Sequence, residues 1–236
     1  MEYRLEIWRQ ENSDSPGRFQ TILYHTGDER ETVATALTNI NNTPGMKDIN
    51  GDPVGEIGWE CSCLQKKCGA CAMVICGTPG LACDSFLRNY IRKRTIRLAP
   101  LSKFPLIRDL WVDRSILRQD LKELGLATKE NFVFTDRNND TAFESSKCLQ
   151  CGCCLEVCPN YVPGGKFFGA AGYVSETKFV TSLSSEEVKK LKPAYLSHIY
   201  GGCGKSLACK DICPAGIDMD RLLSKSNAVA VWGRKK

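Results

Sequence analysis

The sequence has no run of roughly 18 apolar residues, so no stretch of it reaches the length of a membrane-spanning helix. Its opening residues, Met1-Glu2-Tyr3-Arg4-Leu5-Glu6-Ile7-Trp8-Arg9, lack the apolar core of a secretory signal, so an oxidising compartment is not expected. No Gly-x-Gly-x-x-Gly follows a strand-like stretch, and no dinucleotide site is expected. Histidine is scarce. His25 and His198 are the only two in 236 residues, and both are read as surface or hydrogen-bonded side chains rather than catalysts. Lysine and arginine exceed aspartate and glutamate by only 32 to 27, and they are scattered with few aromatics among them. A nucleic-acid binder gathers its basic residues on one face beside stacking rings. The charge is therefore read as solvated surface, with an acidic partner or lipid headgroups as the further option.

What the sequence has in abundance is cysteine, 14 residues, and this needs a chemical reason. A disulfide scaffold fits poorly with a chain of this length that carries adjacent Cys153-Cys154. The stretch Cys148-Leu149-Gln150-Cys151-Gly152-Cys153-Cys154-Leu155-Glu156-Val157-Cys158-Pro159 reads C-x2-C-x2-C-x3-C-P once Cys153 is set aside, the run by which ferredoxins hold iron–sulfur clusters. A second run, Cys203 to Pro214, keeps the register with Cys203, Cys209 and Cys213, but Ser206 stands where the second cysteine belongs. Two such runs cross-ligate, the fourth cysteine of each serving the other's cluster. A third group, Cys63-x4-Cys68-x2-Cys71 with Cys83 downstream, has the plant-type spacing of a 2Fe–2S cluster. Zinc is disfavoured because its knuckles usually come as paired C-x-x-C. Cys61 lies too far from Cys68 to replace Cys63, so Cys61 and Cys76 are read as small buried hydrophobes.

Around these groups the chain divides. Residues 3–9 alternate polar and apolar, the period of a half-buried strand, and a second strand over Arg18–His25 follows a loop at 11–17. Helical spacing over Glu31–Asn41, with Thr32 as N-cap, completes the start of a β-grasp domain. Residues 96–113 read as a strand and a connector interrupted by Pro100 and Pro105. Ser115 is expected to cap a helix over Ile116–Leu124 that Gly125 ends. Residues 131–141 are expected to be loop, 145–157 one helix, and 163–173 a glycine-rich loop. Ser184 and Glu187 form a capping box, and Asp218 opens a last helix to about Ala228. The fold class is therefore α+β, an N-terminal β-grasp domain over 1–110 followed by an α-helical two-cluster ferredoxin domain over 111–236.

Taken together, these elements resemble the iron–sulfur subunit of succinate dehydrogenases and quinol:fumarate reductases over nearly the whole chain. The likeness rests on the three cysteine groups, on Pro100-Leu101…Phe104-Pro105…Arg108-Asp109-Leu110…Val112-Asp113, and on the Phe-x-Gly-Ala-Ala-Gly loop at 167–172. The resemblance implies a 2Fe–2S cluster on Cys63, Cys68, Cys71 and Cys83, and a 4Fe–4S cluster on Cys148, Cys151, Cys154 and Cys213. It implies a 3Fe–4S cluster on Cys158, Cys203 and Cys209, the alternative being a fourth iron held by the Ser206 oxygen. It also implies an electron wire without a substrate site of its own. Such a wire joins an FAD-containing flavoprotein, which interconverts succinate and fumarate, to a quinone at a membrane anchor, and sits peripherally on the cytoplasmic side of the inner membrane. The alternative partner is another flavin-dependent reductase or a soluble or thiol donor. Many family members carry tryptophans shortly after the first Cys-Pro and a histidine after the first cysteine of the last run. Asn160-Tyr161-Val162-Pro163 and Gly204 occupy those places, which resembles the branch that uses menaquinone and a haem-bearing anchor.

Overall fold

Tyr3, Leu5 and Ile7 are buried to within 1% of completely while Glu2 and Arg4 face solvent, and this alternation forms the first strand, β1 (Glu2–Arg9). It pairs antiparallel with β2 (Arg18–His25) in unbroken register from Glu2 opposite His25 to Arg9 opposite Arg18. Its other edge pairs in parallel with β5 (Thr95–Ala99). With β3 (Ala72–Ile75) and β4 (Thr78–Leu81) the sheet has the order β2-β1-β5-β3-β4. The central parallel pair flanked by antiparallel neighbours is the β-grasp arrangement expected above. The structure is a computed structural model and describes residues 1–90, 92, 94–125, 136–180 and 183–233.

Helix α1 (Val33–Asn41) begins where Thr32 Oγ1 accepts the Thr35 amide, and it buries Val33, Ala34, Ala36, Leu37 and Ile40. The connector after β5 closes in a short hairpin of β6 (Leu106–Arg108) and β7 (Trp111–Val112). The chain forms two compact units, Met1–Asp113 and Arg114–Lys236.

The second unit is helical: α2 (Ser115–Glu123), α3 (Asp136–Ser146), α4 (Cys153–Glu156), α5 (Gly169–Val180), α6 (Ser185–Tyr195), α7 (Ala208–Asp211) and α8 (Met219–Ala230). Helix α5 is buried on nearly every side, from Gly169 through Val180, and packs against α2, α3, α4 and α8. A helix buried on nearly every side belongs at the centre of its unit. Pro193 lies inside α6, and the chain continues as a π turn over Leu196–Tyr200 that delivers the second cysteine run.

Several expectations change. Ser115 is the first residue of α2 rather than its cap, a position taken by Arg114, although Gly125 does end the helix at φ +69°. Residues 136–141, expected as loop, belong to α3; residues 131–135 lie outside the described residues. The single helix expected over 145–157 is broken, because Gln150 at φ +51° and Gly152 at φ +87° turn the backbone left-handed between α3 and α4. The loop over 163–173 stops at 168: Gly169 and Gly172 are packing glycines of α5. A Cβ on Gly169 would lie 2.3 Å from Leu155 Cδ2, and one on Gly172 2.8 Å from Phe168 Cβ.

Candidate iron–sulfur centres

The loop from Cys63 to Cys71 is shaped by three left-handed residues, Leu64 (φ +53°), Lys66 (φ +59°) and Gly69 (φ +74°). They turn backbone amides onto sulfur. Gln65 N and Lys67 N both donate to Cys63 Sγ at 3.3 Å, Lys66 N donates to Cys83 Sγ at 3.3 Å, and Ala70 N to Cys68 Sγ at 3.5 Å. The Gln65 and Lys67 amides, with the Cys68 thiol, pull Cys63 down to about 7. Cys71 is deeply buried, which pushes it up to about 12, and both Cys83 and Cys68 act on it. All four thiols predicted for a 2Fe–2S site therefore share one neighbourhood, rich in donors that stabilise sulfur carrying negative charge. Lys66 Nζ reaches Asp84 at 2.6 Å beside it. Cys61 is exposed, contrary to its reading as a buried hydrophobe, since the segment before Cys63 runs along the surface. Cys76 is partly buried at a left-handed turn, φ +51°.

The two later runs share one backbone design. Counting from Cys148 and from Cys203, the second and fourth residues on are left-handed: Gln150 and Gly152 in one run, Lys205 and Leu207 in the other. Each run then enters a four-residue helix at the fifth residue, α4 at Cys153 and α7 at Ala208. Ser206 thus occupies the backbone place that Cys151 holds in the first run. Three of these four left-handed residues carry side chains, which costs of order 1–3 kcal/mol each and persists where the surroundings over-determine it.

Burial pushes Cys148 up to about 11, with Cys151 and Cys213 both acting on it. Gln150 Nε2 donates to Cys148 Sγ at 3.4 Å and to Ser175 Oγ at 2.7 Å. Cys154 is buried and raised, first by burial and then by Cys151, Cys148, Cys209 and Cys213. Cys153, the residue outside the ferredoxin spacing, is completely buried and hydrogen-bonds to Cys151. That bond, ahead of burial, lowers Cys151 to about 7 and raises Cys153. Arg114 Nη1 donates to the Cys151 carbonyl at 3.3 Å.

Cys158, Cys203 and Cys209 line one cavity together with Ser206, Tyr173 and Asn160. The Tyr173 hydroxyl lies 3.7 Å from Cys209 Sγ, a contact that sequence reasoning missed because no spacing rule links residue 173 to a cysteine 36 positions on. At the mouth of this region Asn160 Nδ2 donates to Gly202 O at 2.7 Å, and a Cβ on Gly204 would lie 2.9 Å from that same nitrogen. The two positions at which the sequence departs from the tryptophan-and-histidine pattern therefore touch each other. His198 stacks on Phe168 at 4.3 Å and its Nδ1 meets Lys166 O at 2.7 Å.

Among the described residues, no three His, Cys, Asp or Glu side chains converge on one point as for a single metal ion. A multi-iron cluster does not ask for that, since each thiolate binds its own iron around the periphery. Thiols gathered in three buried or donor-lined neighbourhoods fit such clusters. The fold and these sites define an iron–sulfur electron carrier of α+β class. The family model described as a 2Fe-2S iron-sulfur cluster binding domain matches residues 4–119, and the 4Fe-4S dicluster domain model matches residues 144–217. The succinate dehydrogenase iron-sulfur subunit of Bacillus subtilis is 31% identical over 83% of this chain and 79% of its own length. The fumarate reductase iron-sulfur subunit of Wolinella succinogenes is 27% identical over 70% and 73%. A chain of the Mycobacterium smegmatis Sdh1 complex shares the fold at TM-score 0.79 and 18% identity, covering 100% of this chain and 98% of that one. The chain belongs to the family of iron–sulfur subunits of succinate dehydrogenase and fumarate reductase, and its cofactors are 2Fe–2S, 4Fe–4S and 3Fe–4S clusters.

Proposed function

We propose that Cys63, Cys68, Cys71 and Cys83 hold the 2Fe–2S cluster, that Cys148, Cys151, Cys154 and Cys213 hold the 4Fe–4S cluster, and that Cys158, Cys203 and Cys209 hold the 3Fe–4S cluster. The observation that carries this reading is the shared backbone of the two ferredoxin runs, in which Ser206 replaces the thiol that Cys151 supplies. The proposed domain line falls at 110/111. When bound, the clusters supply one-electron carriers. The protein's own residues anchor them by thiolate, direct amides at Cys63, Cys68 and Cys83, and enclose Cys71, Cys151 and Cys154 away from water. Exclusion of water and donation to sulfur are the means by which the chain sets the driving force for each electron.

The partners follow from the family. The chain accepts or delivers electrons at an FAD-containing flavoprotein that interconverts succinate and fumarate, and at a quinone beside a membrane anchor. No helix among the described residues is long and apolar enough to cross a membrane. The proposed association with the membrane is peripheral, through partner subunits at the cytoplasmic face. The touching pair Asn160 and Gly204 supports the menaquinone branch with a haem-bearing anchor, because it leaves no room for a side chain at 204 while Asn160 keeps its place.

Purification of the intact complex from its native membrane tests this. The expected result is a co-purifying flavoprotein active on succinate or fumarate, with three spectroscopic centres: a reducible 2Fe–2S, a reducible 4Fe–4S, and a 3Fe–4S seen when oxidised. Absence of the 3Fe–4S signal would overturn the assignment around Ser206. A flavoprotein inactive on both acids would overturn the partnership.

A further inference from the structure

Among the thiols proposed as ligands, Cys63, Cys68 and Cys83 receive hydrogen bonds from backbone amides, which no substitution can remove without reshaping the loop. Cys209 is different. Its partner is the phenol of Tyr173, at 3.7 Å, on a ring that is 2% exposed. Sulfur is a large acceptor, and contacts to it run longer than the usual 2.5–3.0 Å between oxygens. With both groups protonated either atom could donate, but a cysteine bound to iron is a thiolate and has no proton to give. With a cluster in place the hydroxyl is the donor. A phenol is protonated at neutral pH and has a proton to donate.

The placement is built into α5. Gly169 and Gly172 let its first turns press against Leu155 and Phe168 with no room for a Cβ, and the next residue is Tyr173, which lines the cavity with Cys158, Cys203 and Cys209. Reduction adds one electron to a centre whose sulfurs already carry negative charge. A donor aimed at one of them stabilises the reduced form more than the oxidised form, and so raises the potential. No bond breaks and no proton leaves the phenol; the hydrogen bond only shortens or lengthens with the charge on sulfur.

We propose that Tyr173, through its hydrogen bond to Cys209, raises the reduction potential of the three-thiolate centre and thereby favours electron flow from the flavoprotein side to the quinone side. Tyr173 is a positioning residue: it acts through Cys209 and touches no substrate. The proposal rests on the reading that Cys158, Cys203 and Cys209 hold the 3Fe–4S cluster.

The test is a redox titration of the purified complex, wild type against Tyr173→Phe, following all three centres. The expected result is a 3Fe–4S signal of unchanged amplitude whose one-electron equilibrium falls on the order of tenfold, about 59 mV, while the 2Fe–2S and 4Fe–4S midpoints stay fixed. Succinate-driven quinone reduction should slow more than quinol-driven fumarate reduction. A full-amplitude signal with an unmoved midpoint overturns the proposal and leaves the ligand reading intact. Absence of a 3Fe–4S signal in the wild type overturns both. Should Tyr173→Phe fail to assemble, fluorotyrosine placed at 173 keeps the shape and donates more strongly. Its midpoint should rise, and no rise overturns the proposal.

Discussion

Asp109 Oδ2 accepts the Gly58 amide at 2.7 Å, and through this bond the turn between β6 and β7 holds the segment that leads into the Cys63 loop. The other carboxylate oxygen takes Gln10 N at 2.9 Å and Arg9 Nε at 3.2 Å, so one side chain, itself 4% exposed, joins the end of β1 to the cysteine segment. The backbone closes the same link: Asp109 N donates to Gln10 O at 2.8 Å and Leu110 N to Gly58 O at 2.9 Å. Asp109 is left-handed at φ +51°, a conformation that aspartate and asparagine tolerate better than most residues. This is the physical content of the Arg108-Asp109-Leu110 motif.

Asp109→Ala should therefore destabilise the first unit by about 3 kcal/mol, because it strands two amides, removes the ion pair with Arg9 and adds strain at a positive φ. Asp109→Asn keeps the shape and one acceptor and should cost less. Thermal loss of the 2Fe–2S absorption in the purified complex measures both. If the alanine variant loses it at the wild-type temperature, Asp109 does not anchor the loop.

Ser206→Cys should convert the third centre. The residue sits on the backbone register of Cys151 and lines the cavity of Cys158, Cys203 and Cys209, so a thiol there would supply the missing ligand. The expected outcome is loss of the oxidised 3Fe–4S signal, gain of one iron per chain, and a lower potential from the added thiolate charge. Ser206→Ala should leave the wild-type spectrum unchanged. A changed spectrum in that variant would mean that the serine oxygen holds a fourth iron.

The capping box at the start of α6 offers a control remote in sequence from every cysteine. Ser184 Oγ accepts from Glu187 N at 3.3 Å and Glu187 Oε2 accepts from Ser184 N at 2.8 Å. Ser184→Ala should cost about 1 kcal/mol of stability with all three cluster spectra unaltered. A spectral change would show that α6 is coupled to the clusters in a way its cap does not suggest.

The α+β class and the cluster types were legible because thiol ligation demands fixed spacings and half-buried strands demand a period of two, and both are written in residue order. Thr32 and the Ser184–Glu187 pair were legible for the same reason: caps act over three residues. The left-handed residues were not. Leu64, Lys66, Gln150, Lys205 and Leu207 are ordinary side chains whose local preference is for helix or strand, and the need to aim amides and thiols inward overrides it. Gly169 and Gly172 misled in the opposite direction. They looked like loop formers, but their service is close approach inside α5, which only the packing against Leu155 and Phe168 reveals. Tyr173 and Asp109 act across 36 and up to 100 positions of chain, a range at which residue order carries no distance.

Glu176 gives the sharpest test of burial in the helical unit. It lies in α5 with no exposed surface; Oε2 accepts from Ser226 Oγ at 3.3 Å, and Oε1 has no hydrogen-bond partner among the described residues. From α6, the Tyr195 hydroxyl stands nearby but donates to Asn227 Oδ1 at 2.7 Å. Burial pushes the Glu176 carboxyl well above its usual 4.5, and the Ser226 bond offsets this only in part. The folded protein thus keeps a proton that the unfolded chain releases above that usual value. Since the native state binds more protons, stability must fall as pH rises from there toward the folded value, by at most about 1.4 kcal/mol per pH unit from this group. Glu176→Gln removes the ionisation while keeping the shape. Between pH 6 and 8.5 the variant should gain stability over the wild type, and the gap in urea midpoint should widen with pH. Glu176→Ala, by contrast, should lose stability at every pH through the cavity it leaves. A gap between glutamine variant and wild type that stays constant across this range would mean that Glu176 is already ionised in the folded protein, with its charge met by a partner drawn to Oε1.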